Sequence, residues 1–197
     1  WENYGGTLEY CYNLGILQTN TNDRKGEAGA VGGIAGYLRE PVSGSATNII
    51  SCSNYGDILW TEAQRDDVVY GANDVGGILG KIEMASGNDY MTLNIIDCVN
   101  GPVTLQAKSM VSGIMGWMGK YDDAPKYVQV NIDRCRNYCT EMWGSNRSGG
   151  IWGNRGNGST SNKKTTITNC FALYKSKNNT GSIWYPIAYR HTANEKL

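Results

Sequence analysis

Few side chains in this sequence have the type and spacing that bond-making requires. The single histidine, His191, lies in a polar stretch near the end, where an exposed terminal residue is expected. A serine–histidine–aspartate arrangement would have to recruit it. Acidic pairs stand at Asp66–Asp67 and Asp122–Asp123, both in polar linkers. Neighbouring carboxylates in such places are usually solvated, and calcium binding or acid–base cleavage of a sugar polymer is the chemistry they would otherwise serve. Six cysteines are present without a C-x-x-C pair, so no metal and no cofactor is expected.

The cysteines are better read as markers of a repeat. Cys11, Cys52, Cys98, Cys135 and Cys170 are 41, 46, 37 and 35 residues apart. Three residues before them stand Leu8, Ile49, Ile95, Ile132 and Ile167. Two residues after them stand Asn13, Asn54, Asn100 and Asn137, with Ala172 breaking the series. A Gly-Gly-Ile-x-Gly element follows, whose isoleucines are Ile34, Ile78, Ile114, Ile151 and Ile183. Similar residues recurring in fixed order are the sequence signature of a solenoid.

Each repeat divides into three strand-like pieces, for example Asn48 to Cys52, Asp57 to Trp60 and Val75 to Ile82. β-Branched residues fill them, and no stretch sustains a helical period. The expected fold is therefore all-β: a right-handed parallel β-helix of about five coils, three strands each, joined by polar linkers. A coil cannot bury its apolar face alone, so stacking must build the core. The asparagines are expected to form an amide ladder, each donating to one neighbouring coil and accepting from the other. Five cysteines then form an internal column, expected to be thiols although the coil spacing of about 4.8 Å also allows a bridge, with Cys139 outside the series at the turn-glycine position.

If the isoleucines of the third strand point inward, alternation turns the next residues outward. These are Ala35, Leu79, Met115, Trp152 and Trp184, and two positions further Tyr37, Lys81, Trp117, Asn154 and Pro186. A bulge at the glycine pair would reverse that assignment. An outward strip of aromatic rings suits a stiff repeating polymer, with stacking on sugar faces. The candidate ligand-binding residues are Tyr37, Trp117, Tyr121, Trp152, Trp184 and Tyr185. The alternative is packing beneath the linkers, where Trp60, Tyr70, Tyr127 and Trp143 also lie.

Composition narrows the partners. Lysine plus arginine total 18 and aspartate plus glutamate total 18, so no basic excess is available for nucleic acid. No apolar run is long enough to span a membrane. The chain starts at Trp1 and is expected to be a single β-helix domain over residues 1–197, excised from a larger protein.

The elements Ala30-Val31-Gly32-Gly33-Ile34-Ala35-Gly36 and Cys52-Ser53-Asn54-Tyr55-Gly56-Asp57-Ile58 resemble the glycine-rich GLUG-type repeats of bacterial surface proteins. Such repeats accompany immunoglobulin A peptidases and large adhesins. The resemblance implies a secreted or wall-attached bacterial β-helix, extracellular and at the cell surface. It implies no peptidase chemistry, because the zinc-binding motif has no counterpart here. By class and aromatic content the chain is also similar to the tapirins, cellulose-binding surface adhesins. The expected function is a non-catalytic adhesin domain for a polysaccharide such as cellulose, or for a host or cell-surface glycan. The alternatives are a polysaccharide lyase or hydrolase on the same fold, and a passive stalk.

Overall fold

The computed structural model describes residues 5–19, 29–39, 44–60, 63–65, 68–70, 74–83, 90–118, 127–144, 147–155, 163–178, 183–185 and 187. Among these the regular structure is all β, and the chain winds as a parallel β-helix of five coils. Strands at matching places in successive coils pair in parallel, which gives five ladders.

The first ladder contains Gly6–Glu9, Ala46–Ile50, Tyr90–Ile96, Tyr127–Asp133 and Lys163–Thr168. The second contains the two-residue strands Tyr12–Asn13, Ser53–Asn54, Val99–Asn100, Arg136–Asn137 and Phe171–Ala172. The third contains Leu17–Thr19, Ile58–Trp60, Thr104–Gln106, Glu141–Gly144 and Ser176–Asn178. The fourth contains Ala30–Gly32, Asp74–Gly76, Met110–Ser112, Arg147–Gly149 and Ile183–Tyr185. The fifth contains Ala35–Arg39, Leu79–Glu83, Met115–Met118 and Trp152–Arg155. One antiparallel hairpin, Ala63–Arg65 with Val68–Tyr70, sits in the linker of the second coil.

The three expected pieces per coil thus become five strands, for two reasons. The Ser53–Asn54 dipeptide between the first two pieces pairs with its equivalents as the short second ladder. The third piece is bent at its Gly-Gly-Ile element, which separates the fourth ladder from the fifth.

Register follows the cysteine alignment. Leu8, Ile49, Ile95, Ile132 and Ile167 are direct partners along the first ladder. The residue before each cysteine, namely Tyr10, Ser51, Asp97, Arg134 and Asn169, has a positive φ between 51° and 55°. That left-handed residue turns the chain sharply out of the first ladder, and so the next residue, the cysteine, enters the interior. The thiols are free, and those of the second, third and fourth coils are buried. Each approaches the carbonyl two residues back, at 3.2 Å for Cys52 and 3.3 Å for Cys98.

The asparagine column runs through the interior. Asn13 Nδ2 donates to Asn54 Oδ1 (2.7 Å), Asn54 to Asn100 (2.9 Å) and Asn100 to Asn137 (2.8 Å). Asn137 ends the series on the carbonyl of Gly150 (2.9 Å). These amides cross from the second ladder to the Gly-Gly bend opposite. A Cβ on Gly77 would stand 2.4 Å from Asn100 Cγ and 2.1 Å from the Gly113 carbonyl oxygen, so only glycine fits there. The amide column therefore forms a wall between two apolar clusters. On one side lie Ile49, Cys52, Ile78, Leu79, Ile95 and Ile114 with their equivalents. On the other lie Ile58, Val75, Leu105, Val111 and Met142.

Candidate ligand-binding surfaces

The bend at Gly-Gly-Ile decides which aromatic residues reach the surface. Ile78, Ile114 and Ile151 are buried as expected, but so are the residues that follow them, Leu79, Met115 and Trp152. Two successive side chains face inward because the chain turns a corner between them. The next residue is glycine in the first four coils (Gly36, Gly80, Gly116, Gly153), and it breaks the alternation a second time. As a result Leu38, Ile82 and Met118 join the core while Tyr37, Lys81 and Trp117 face out.

Three of the expected site residues change place accordingly. Trp152 is 1% exposed, packed in register with Met115 inside the coil, and cannot stack on an external ligand. Trp184 and Tyr185 belong to the fourth ladder, opposite Ser148 and Gly149, so they are not in the Trp152 column. The cause is a four-residue offset in the last coil. Ile183 pairs with Arg147, and it is the carbonyl of Ile187 that receives the amides of Ile151 (2.8 Å) and Trp152 (2.9 Å). Ile187, half-buried against the core, continues the isoleucine column in place of Ile183. Tyr121, the two acidic pairs and His191 lie outside the described residues.

The structure does bring Tyr37, Lys81 and Trp117 together, as in-register partners along the fifth ladder. Lys81 Nζ stands over both rings, 5.1 Å from the Tyr37 centroid and 4.5 Å from that of Trp117. Rings two coils apart are separated by roughly 10 Å along the axis, and the ammonium fits between them. The inner ring faces are thus occupied by lysine. Tyr37, at one end of this column, is 38% exposed.

A second aromatic surface was not singled out in the sequence. It lies at the corner after the second ladder, at the position following the asparagine column: Leu14, Tyr55, Gly101, Tyr138 and Leu173. Backbone bonds of 2.8 Å hold the last four of these residues in register with the coil before them. A Cβ on Gly101 would lie 2.4 Å from Tyr55 Cδ1, which places the Tyr55 ring across the glycine backbone with 46% of the residue open to solvent. Tyr138, in the fourth coil, is 40% exposed and its ring lies 5.8 Å from that of Phe171 at 48°. Tyr12, Leu14, Phe171 and Leu173 extend the exposed ridge towards both ends. The clue was available, because every repeat but one carries a large apolar residue directly after the asparagine position. A third aromatic pair, Trp60 with Trp143, stacks at 4.6 Å and 17° beside the third ladder.

Asp74 is a buried carboxylate, pushed up to about 7 by desolvation against the opposing pull of the Lys81 charge. At 2% exposed it has no access to a substrate. No group of three or more histidine, cysteine, aspartate or glutamate side chains among the described residues could hold a metal ion. No helix among them is long and apolar enough to cross a membrane.

Fold and surface together define a parallel β-helix whose outward corners carry axial rows of aromatic side chains. No protein-family model, curated protein or solved structure matches this chain.

Proposed function

We propose that this β-helix is a non-catalytic adhesin domain of the bacterial cell surface that binds a polysaccharide through aromatic side chains. The ligand is cellulose or a comparable cell-surface glycan. The observation that carries the proposal is the exposed Tyr55–Tyr138–Phe171 ridge, in which the Tyr55 ring lies against the Gly101 backbone. Tyr55 and Tyr138 are two coils apart, and so are Tyr37 and Trp117. Both rows therefore offer rings at roughly 10 Å intervals along the axis. A stiff sugar chain lying along that axis presents ring faces at a regular repeat, and aromatic faces with a hydroxyl at the rim suit both its apolar face and its hydroxyls. The resemblance to GLUG-type repeats supports an extracellular, wall-attached setting.

Pull-down on cellulose and on a panel of other glycans tests this, with Tyr55→Ala/Tyr138→Ala and Tyr37→Ala/Trp117→Ala beside the parent. With about 1 kcal/mol per ring, the first double variant should weaken binding roughly tenfold or more. Unchanged binding in both double variants would reject the aromatic rows as the site. Release of reducing sugar by the parent would favour the lyase or hydrolase reading instead.

A further inference from the structure

The thiol column carries an inference independent of the ligand. Cysteines at matching places in adjacent coils have Cα atoms about 4.8 Å apart, inside the range that disulfides span. Most of the column is held between coils on both sides and sealed from solvent. The two end steps, Cys11 to Cys52 and Cys135 to Cys170, each join a half-buried cysteine to a buried one, and at the second of them three features meet. Cys170 is only half-buried, whereas Cys135 is buried. The Cys135 amide N–H points at Cys170 Sγ, 3.4 Å away, so that sulfur leans over its neighbour's backbone. Among the described residues, the fifth coil's strands Lys163–Thr168, Phe171–Ala172 and Ser176–Asn178 pair with the fourth coil.

We infer that Cys135 and Cys170 form a reactive thiol pair that a low-molecular-weight disulfide converts to a coil-to-coil disulfide, fastening the fifth coil to the fourth. The Cys170 thiolate attacks one sulfur of the reagent RSSR, giving Cys170–S–SR and expelling RS⁻. Cys135 then loses its proton and attacks the Cys170 sulfur, expelling the second RS⁻. Two protein thiols and RSSR become one protein disulfide and two RSH. The Cys135 thiol beside it holds Cys170 below the usual thiol range, while the same hydrogen bond and burial push Cys135 up. Cys170 is thus the attacking group and Cys135 the resolving one. The bridge would close a segment of 35 residues and restrain the fifth coil against the fourth.

Incubating the chain with oxidised glutathione, alkylating it and mapping its peptides by mass spectrometry reads the pairing directly. The expected result is a Cys135–Cys170 cross-link, with two of the six thiols lost. Tm should rise by several degrees in the oxidised protein and fall back with dithiothreitol. Cys170→Ser should abolish both effects and Cys11→Ser should leave both intact. If Cys170→Ser does not fold, the peptide map of the parent and Cys11→Ser still decides. A stable glutathione adduct on Cys170 with Cys135 still alkylated would overturn the inference. So would a Cys11–Cys52 bridge formed in its place, or six thiols remaining.

Discussion

Two regions of the coil bury polar side chains and treat them differently. Along the second ladder, Asn54, Asn100 and Asn137 are fully buried, and each amide has partners in neighbouring coils. Along the fourth ladder, Asp74 Oδ1, Ser112 Oγ and Ser148 Oγ are buried without a hydrogen-bond partner among the described residues. The difference lies in repetition. An asparagine in every coil meets another of its kind, so one bond geometry recurs along the column. Asp74 pairs with Ala30 and Met110, and Ser112 with Gly76 and Gly149, so neither finds a like group above or below. In a solenoid a buried polar group is cheap when repeated and costly when solitary.

The strongest way to break the contrast is Asn100→Ala. It removes the bonds to Asn54 and Asn137 and leaves a cavity against the Gly77 bend. Both neighbours retain a second partner, since Asn54 donates to the Gly56 carbonyl and Asn137 accepts from the Cys139 amide. That limits the damage to two lost bonds plus the cavity, about 4 kcal/mol in all. Urea unfolding measures it, and a loss under about 1 kcal/mol would mean that the wall is not structural.

Asp74→Asn should act in the opposite sense, and only above acid pH. The carboxyl rises from its ordinary value of 3.8 to about 7 in the folded chain. Below about pH 4 it is protonated in both states and burial carries no ionisation penalty. As pH rises, the unfolded chain gives up its proton first, so stability falls by about 1.4 kcal/mol per pH unit until the folded group ionises near pH 7. The amide never ionises, although its own unmet hydrogen bonds offset part of the gain. The expected net gain is about 2 kcal/mol at pH 8, with little or none at pH 3. Equal effects at both pH values would show that ionisation is not the cause.

Ser148→Val extends a column that already holds Val31, Val75 and Val111 in register. It replaces an unpartnered hydroxyl by apolar surface beside Val75 and Val111. About 1 kcal/mol of stabilisation is expected from thermal denaturation. A loss instead would show that the space around the Gly149 strand is too tight for the added carbon.

What could be read in the sequence was what repeats. The cysteine, isoleucine and asparagine columns of the first two ladders needed only an alignment, because in-register pairing sends like residues to like places. The side on which Trp152 lies could not be read this way. Alternation holds within one strand, and Gly77–Ile78 and their equivalents are a corner between two. The Ile183 assignment failed for a related reason: Ile183 and Ile187 both fit the apolar pattern, and only backbone pairing with Ile151 separates them. The tyrosine ridge was visible in the alignment but sat beside a stronger signal. A second amide column, Asn48, Asn94 and Asn131, stands four residues before the cysteines and was also passed over.

That outer column gives the smallest and sharpest test, because it has the same chemistry as the wall on the opposite side of the backbone. Asn94 donates to Asn48 Oδ1 and accepts from Asn131 Nδ2, both at 2.8 Å, much as Asn100 bonds within the wall. The outer amides are only half-buried, and their donors point towards the N-terminal coil, whereas those of the wall point towards the C-terminal one. Water can replace either bond when Asn94 is cut back to alanine, and no cavity opens. Asn94→Ala should therefore cost about 0.5 kcal/mol, well below the loss at Asn100. Similar losses at the two sites in one urea series would mean that the amide ladder, rather than its burial, sets the energy.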